Sequence, residues 1–384
     1  MTRTTSASPS SSTWLTVFSL LAIGVLCLGS YLIGIRRPYL ANWERAKALQ
    51  AQGANLHMKN LLPDAWLDKL PEGVVRRFDR ISKVDFRFAG ELRLAGDLDM
   101  RGCRHLRELG LVSDGQLSAS GQPHAPRIDL SGCRQLRRLV IRKLDGCTFI
   151  GLEECLKIEE LELIDVALDD LRLKALDQLK DLAMIRVISP NTLRLPATPL
   201  LERCILEESS VALPDFANAS QLYSLRLKKM PTTHLRIGGQ PQFLQFNDLG
   251  LQRLELADVS KLSHLVSIQN PLATSELPFA AMTQLSDLVL AGYAKSELPP
   301  LDSLLALEVL DVSYSSLTSL PALPPNLHSL SAARVPIQSL PDRLLTNPRM
   351  QYLDLKGTRF EAGSFSRIPG IDVPDPAMHT PLEF

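Results

Sequence analysis

The sequence predicts an α/β solenoid, a curved parallel sheet built by stacking short repeats, with one apolar helix at its N-terminus. Three observations predict it. A hexapeptide of the form L-x-x-L-x-L returns eleven times between residues 106 and 355, with conservative apolar swaps. Seven of the ten spacings between successive units lie between 20 and 23 residues. An uncharged run of 22 residues, Trp14 to Ile35, precedes everything else. A chain of 384 residues would otherwise divide into two or three compact domains. Stacked repeats need no single core and grow in one direction.

The units are anchored at Leu106, Leu136, Ile158, Leu179, Leu201, Leu222, Leu251, Leu285, Leu307, Leu327 and Met350. Each is followed by an apolar residue three and five positions on, such as Leu109 and Leu111, or Leu310 and Val312. The x-L-x-L-x core alternates with period two, so its leucines point inward and the intervening residues outward. One unit alone leaves its apolar row bare, and neighbours stacked in parallel cover it. A period of 20 to 23 residues is that of leucine-rich repeats, and the expected shape is a horseshoe. Three spacings, 30, 29 and 34, break the rhythm, and the last two bracket residues 228–284, which include GGQPQFLQF. That stretch reads as degenerate repeats or insertions.

The first two units, LDMRGCRHLRELGL and IDLSGCRQLRRLVI, superimpose at an offset of 30 and match Cys103 to Cys133. Both thiols are expected to be buried and structural. Cys147, Cys155 and Cys204 complete an odd set outside the apolar run, with no C-x-x-C pair. Neither a disulfide framework nor a zinc site of familiar spacing is expected. The last units, LTSLPALPPNLHSLSAARVPIQSLP, are marked by prolines, and the tail after Phe365 carries Pro369, Pro374, Pro376 and Pro381.

At about 1.5 Å per residue the run 14–35 reaches about 33 Å, enough to span a hydrocarbon core. It is too long for the usual signal-peptide core, and no small-x-small cleavage site follows it. A single-pass membrane location is therefore expected, with the bilayer as a partner through residues 14–35. Arg36, Arg37, Arg45 and Lys47 outweigh Arg3, which predicts a cytoplasmic C-terminal domain. A short helix is expected from Asn42 to Gln52, with Gly53 as its stop. The expected order is a disordered 1–13, a transmembrane helix 14–35, a juxtamembrane helix and N-terminal cap 36–94, the repeat solenoid 95–365 and a tail 366–384.

This layout, with Trp66, Leu67, Leu70 and Pro71 as a W-L-x-x-L-P segment before a V-D-F strand, resembles bacterial membrane-anchored leucine-rich-repeat proteins. The resemblance covers roughly residues 90–360. It implies a binding surface without naming what is bound.

Formal net charge is +0, from 42 basic and 42 acidic residues, which opposes bulk attraction of nucleic acid. No phosphate-binding glycine loop, metalloprotease helix or nucleophile elbow is present. The seven histidines are scattered, and acidic neighbours such as Glu159 and Glu160 read as solvated edges. No cofactor, metal or catalytic residue is expected. The expected function is a membrane-tethered module that binds a protein partner through the concave strand face. The candidate residues are Val140, Glu162, Arg203, Ile205, Arg226, Lys228, Arg253, Glu255, Val289, Asp311 and Asp354. Two alternatives are an effector-type repeat protein with ligase-like activity, which needs a further domain, and a periplasmic or extracellular sensor, which reverses the orientation.

Overall fold

The computed structural model describes residues 37–61, 79–88, 97–113 and 127–358, except 172, 174–175, 191, 273–276, 342–343 and 345–346. The first element is α1 (Arg37–Ala51), which starts five residues before the predicted helix. Ala, Leu, Lys, Arg and Gln, all good helix formers, fill most of it. It ends in a Schellman turn: Ala54 N–H donates to Leu49 O at 3.0 Å and Gly53 N–H to Gln50 O at 2.9 Å. Gly53 makes this turn at φ 91°, where a side chain would strain. Leu49 and Ala54, the two residues bonded across the turn, are both buried in the core.

Next, β1 (Asn55–Asn60) lies antiparallel on β2 (Asp79–Phe88) and covers that edge of the sheet. From β2 on, the main ladder is parallel: β4 (Glu108–Ser113), after the short β3 (Leu98–Asp99), then β6 (Arg138–Ile150), after β5 (Arg127–Asp129). It continues through β7 (Glu160–Asp170), β8 (Asp181–Ile188), β9 (Arg203–Glu207) and β10 (Ser224–Lys228). The strand β11 (His234–Ile237) is skipped, and β10 pairs with β12 (Phe243–Asn247). The strand β13 (Arg253–Leu256) is skipped too, and β12 pairs with β14 (His264–Ile268). The ladder then runs through β15 (Asp287–Val289), β16 (Val309–Asp311), β17 (Ser329–Ser331) and β18 (Tyr352–Asp354).

The central anchors stand in one column by register, from Leu109 through Leu139, Leu161, Leu182, Cys204 and Leu225 to Leu353. Every one from Leu109 to Leu330 is buried. Each fully buried leucine contributes about 2 kcal/mol, so the column is the backbone of the core. Before each strand a carbonyl accepts two N–H groups from the next repeat: Arg137 O takes Glu159 and Glu160, and Glu202 O takes Tyr223 and Ser224. In the main ladder from β6 on, the residue five positions after each strand's first takes left-handed φ. Lys143, Asp165, Arg186, Glu208, Lys229, Asp248, Gln269, Gly292, Tyr314, Arg334 and Gly357 form this second column. Their N–H groups reach the next repeat, as Gln269 does to Ala291 O at 2.8 Å.

Of the two readings of the stretch 228–284, degenerate repeats or insertions, the main sheet contains the first. The stretch supplies two full rungs, β12 and β14, with Leu244 and Leu265 in the anchor column. The unit anchored at Leu251 is a decoy. Its strand β13 pairs with β11 in a separate two-stranded sheet, where Leu254 stands opposite Leu235. Both true rungs had lost one apolar anchor: a buried Pro241 opens β12, and a buried Ser267 replaces the last anchor of β14.

Among the described residues, the helical part of the expected α/β class is chiefly α1, with 3₁₀ turns at Leu152–Glu154, Phe216–Asn218 and Phe279–Ala281. Prolines such as Pro299, Pro300, Pro324 and Pro325 in the return segments oppose longer helices. The expected single-pass membrane location is corrected. No helix among the described residues is long and apolar enough to cross a membrane. The run 14–35, the W-L-x-x-L-P segment and the tail after Phe365 lie outside the described residues. The fold is a leucine-rich-repeat solenoid.

Candidate functional site

Alternation along the ladder leaves three columns of side chains on the open face of the main sheet. The central column runs Asp85, Gly110, Val140, Glu162, Ala183, Ile205 and Arg226, then Gln245, Val266, Val289, Asp311, Ser331 and Asp354. A second column flanks it two residues earlier, and in the longer strands a third lies two residues later.

Nine of the eleven predicted residues stand on this face: Val140, Glu162, Arg203, Ile205, Arg226, Lys228, Val289, Asp311 and Asp354. Arg253 and Glu255 do not. They lie on β13 in the second sheet, where Arg253 Nε sits 3.1 Å from Glu255 Oε1. The reading missed Gln245 and Val266, which occupy the rungs assigned to that strand, with Phe243 and His264 beside them. The F-L-Q-F alternation at 243–246 was the available signal. It also missed Ile164 and Ile185, because β7 and β8 extend beyond the L-x-L core.

In the N-terminal half, the charges on the face are tied from rung to rung. Lys83 Nζ lies 2.8 Å from Glu108 Oε2, Arg138 Nη2 lies 3.1 Å from Glu160 Oε1, and Arg142 bonds Glu162. Arg203 Nε lies 2.7 Å from Asp181 Oδ1, and Arg226 Nη1 lies 3.8 Å from Glu207 Oε1. Hydrogen bonding from Asp181 raises the Arg203 guanidinium further above its ordinary value. The left-handed column alongside repeats the pattern, with Asp165 paired to Arg186, and Lys229 Nζ lying 3.0 Å from Glu208 Oε1.

Between these ion pairs lies an aliphatic patch. Ile164 stands opposite Ile185, and Ala183 opposite Ile205, all four half-buried. Toward the N-terminal end the face dips. Gly110, Val140 and Val112 help floor a hollow of ≈ 310 Å³ rimmed by Lys83, Asp85, Arg87 and Arg138. A Cβ at position 110 would lie 2.7 Å from Asp85 Oδ1, so a side chain there would push the carboxylate aside and fill the hollow.

The C-terminal half differs in chemistry. Phe243 packs on His264 with ring centroids 5.8 Å apart, and Val266 stands opposite Val289. Ser263 Oγ lies 2.8 Å from His264 Nδ1, and His264 Nε2 lies 3.3 Å from Asp287 Oδ2. Burial, then the charges of Asp354 and Asp311, raise the Tyr352 phenol above its ordinary value.

The thiols sit away from the face. Cys133 Sγ–H donates to Met100 O at 3.2 Å, and Cys155 Sγ–H to Cys133 O at 3.6 Å. Cys103, Cys133 and Cys155 thus form one buried column, of which the sequence reading had matched the first two. Burial pushes all three thiols up, Cys155 to about 12.

No protein-family model and no curated protein matches the chain. Solved structures do. An internalin from Listeria monocytogenes is 16% identical with a TM-score of 0.44, over 73% of this chain and 87% of that one. A leucine-rich-repeat protein of Leptospira interrogans is 16% identical at the same TM-score, over 83% and 94%. YopM of Yersinia enterocolitica is 23% identical at 0.37, over 72% and 65%.

Proposed function

We propose that the protein is a non-catalytic binding module that seats a protein partner across the open face of its main sheet. The observation that carries this is the patch of Ile164, Ala183, Ile185 and Ile205, enclosed by charged side chains already paired with one another. Burying aliphatic area at the centre supplies affinity, and a surrounding ring that excludes water makes each central contact count. Paired charges lose little further freedom when a partner docks, and they fix its orientation. A nucleic acid would need unpaired basic groups in a stripe. Here Arg138, Arg142, Arg203 and Arg226 each face a carboxylate of a neighbouring rung.

Two features support a non-catalytic reading. The hydroxyl of Ser263 donates to Gln242 O at 3.0 Å, a backbone acceptor that competes with His264 for its proton. The thiols that could serve as nucleophiles are buried and held protonated.

The test compares the native chain with the Ile185→Asp, Ile205→Asp double variant in chemical crosslinking of cell extracts. Proteins enriched by the native chain should be lost from the variant, with circular dichroism showing that the variant keeps its fold. Unchanged enrichment would refute the reading.

A further inference from the structure

The two halves of the open face are not alike in how their carboxylates are satisfied. In the N-terminal half Asp85, Glu108, Glu160, Glu162, Asp181 and Glu207 each sit beside a lysine or arginine. In the C-terminal half, Asp287 accepts from the Ser286 hydroxyl and faces His264 at 3.3 Å, with no lysine or arginine paired to it among the described residues. Asp311 and Asp354 form no ion pair among the described residues. Each instead accepts one backbone N–H, from Ser313 at 2.8 Å and from Lys356 at 3.0 Å, and each side chain is partly exposed.

Both lie in the central column, separated by the Ser331 rung. Strand spacing places them about 10 Å apart. Leading to them is an apolar run: Val266 opposite Val289, and Val309 on the next strand opposite Asp287. All three valines are half-buried and keep part of their surface exposed.

We infer that this half of the face docks an extended segment of a partner protein, with aliphatic side chains over Val266, Val289 and Val309 and two cationic side chains at Asp311 and Asp354. The inference rests on the proposed function and adds the partner's chemistry. Charge complementarity selects the occupant. An acidic or neutral segment would leave two carboxylates without countercharge while covering them, which costs affinity. Ser331 supports the spacing: its hydroxyl is tied to Ser313 Oγ at 2.7 Å, which keeps a small, polar, uncharged rung between the two carboxylates. The Tyr352 phenol, raised chiefly by burial, is raised further by both aspartates.

The test uses the full chain and a fluorescein-labelled peptide in which a valine run is followed by two lysines, with a twin carrying glutamate for lysine. Fluorescence anisotropy should detect the lysine peptide and not the twin. Asp311→Asn with Asp354→Asn should weaken binding about tenfold or more, and raising salt should do likewise. Asparagine keeps the acceptor for each backbone N–H, so the variant retains its turns, and circular dichroism checks this. Asp258→Asn, outside the main sheet, should leave binding unchanged. Equal binding of the twin peptide, or no effect of the double Asp→Asn change, would overturn the inference. If the lysine peptide fails while the Ile185→Asp, Ile205→Asp variant still loses its crosslinked proteins, this inference falls and the proposed function stands. If both fail, both fall.

Discussion

Asp181 and Arg203 face each other in register on adjacent parallel strands, with Arg203 Nε 2.7 Å from Asp181 Oδ1. Both side chains are partly exposed, so the pair contributes little to folding. A double-mutant cycle with Asp181→Ala and Arg203→Ala should return a coupling of about 0.5 kcal/mol in chemical denaturation. It should shrink in high salt. A coupling several times larger would mean the pair acts as a buried bridge and not as part of a solvated rim.

The thiol column predicts an alkaline weakness. The ordinary cysteine value is 9.0, and burial pushes Cys155 to about 12. Between those values the unfolded chain releases its proton while the folded chain keeps it. Stability is therefore full below pH 9 and falls as pH rises toward 12. Cys103, Cys133 and Cys204 shift in the same direction and add to the fall. The urea midpoint should drop across this range, and less steeply in Cys155→Ala. A midpoint flat from pH 8 to pH 11 would contradict the account.

The left-handed column predicts a stabilising change. Gln269 holds φ 55°, while Gly292 and Gly357 occupy the same place in other repeats. The left-handed region costs a side-chain-bearing residue about 1–2 kcal/mol, partly offset by the entropy glycine loses. Gln269→Gly should raise stability by about 0.5–1 kcal/mol, read as a higher urea midpoint. A lower midpoint would show that the Gln269 side chain holds the turn.

Gly238 predicts the reverse. A Cβ there would sit 1.9 Å from Ala217 O, and Gly238 N–H already donates to Phe216 O at 3.0 Å. Backbone cannot move aside as a side chain can. Gly238→Ala should cost about 3 kcal/mol or abolish soluble expression. A variant as stable as the native chain would remove the reason given for a glycine at position 238.

Much of the fold was legible because period-two alternation and a 20-to-23-residue repeat have few other solutions. The anchor column from Leu109 to Cys204 could be placed residue by residue. The middle could not, since Pro241 and Ser267 break the hexapeptide at two true rungs. Meanwhile β13 imitates it with Arg253-Leu254-Glu255-Leu256. A second sheet uses the same alternation as the first, so local pattern cannot tell them apart. Only register does, and that is why Arg253 and Glu255 were misplaced while Arg226 and Val289 were not. Ile164 and Ile185 were missed for a different reason: how far a strand runs past its core depends on its neighbours. The left-handed column gave no signal, because Asp, Glu, Lys, Arg, Gln and Tyr all fill it.

The central claim, that a partner docks on the open face of the main sheet, is tested most directly by site-specific photocrosslinking. A benzophenone amino acid is placed at Ile185 on that face or at Arg236 on the second sheet. Both variants are irradiated in cells, and adducts are resolved by mass. The account predicts a discrete protein adduct from position 185 and none from position 236. An adduct from position 236 alone would contradict it and move the binding surface to the second sheet.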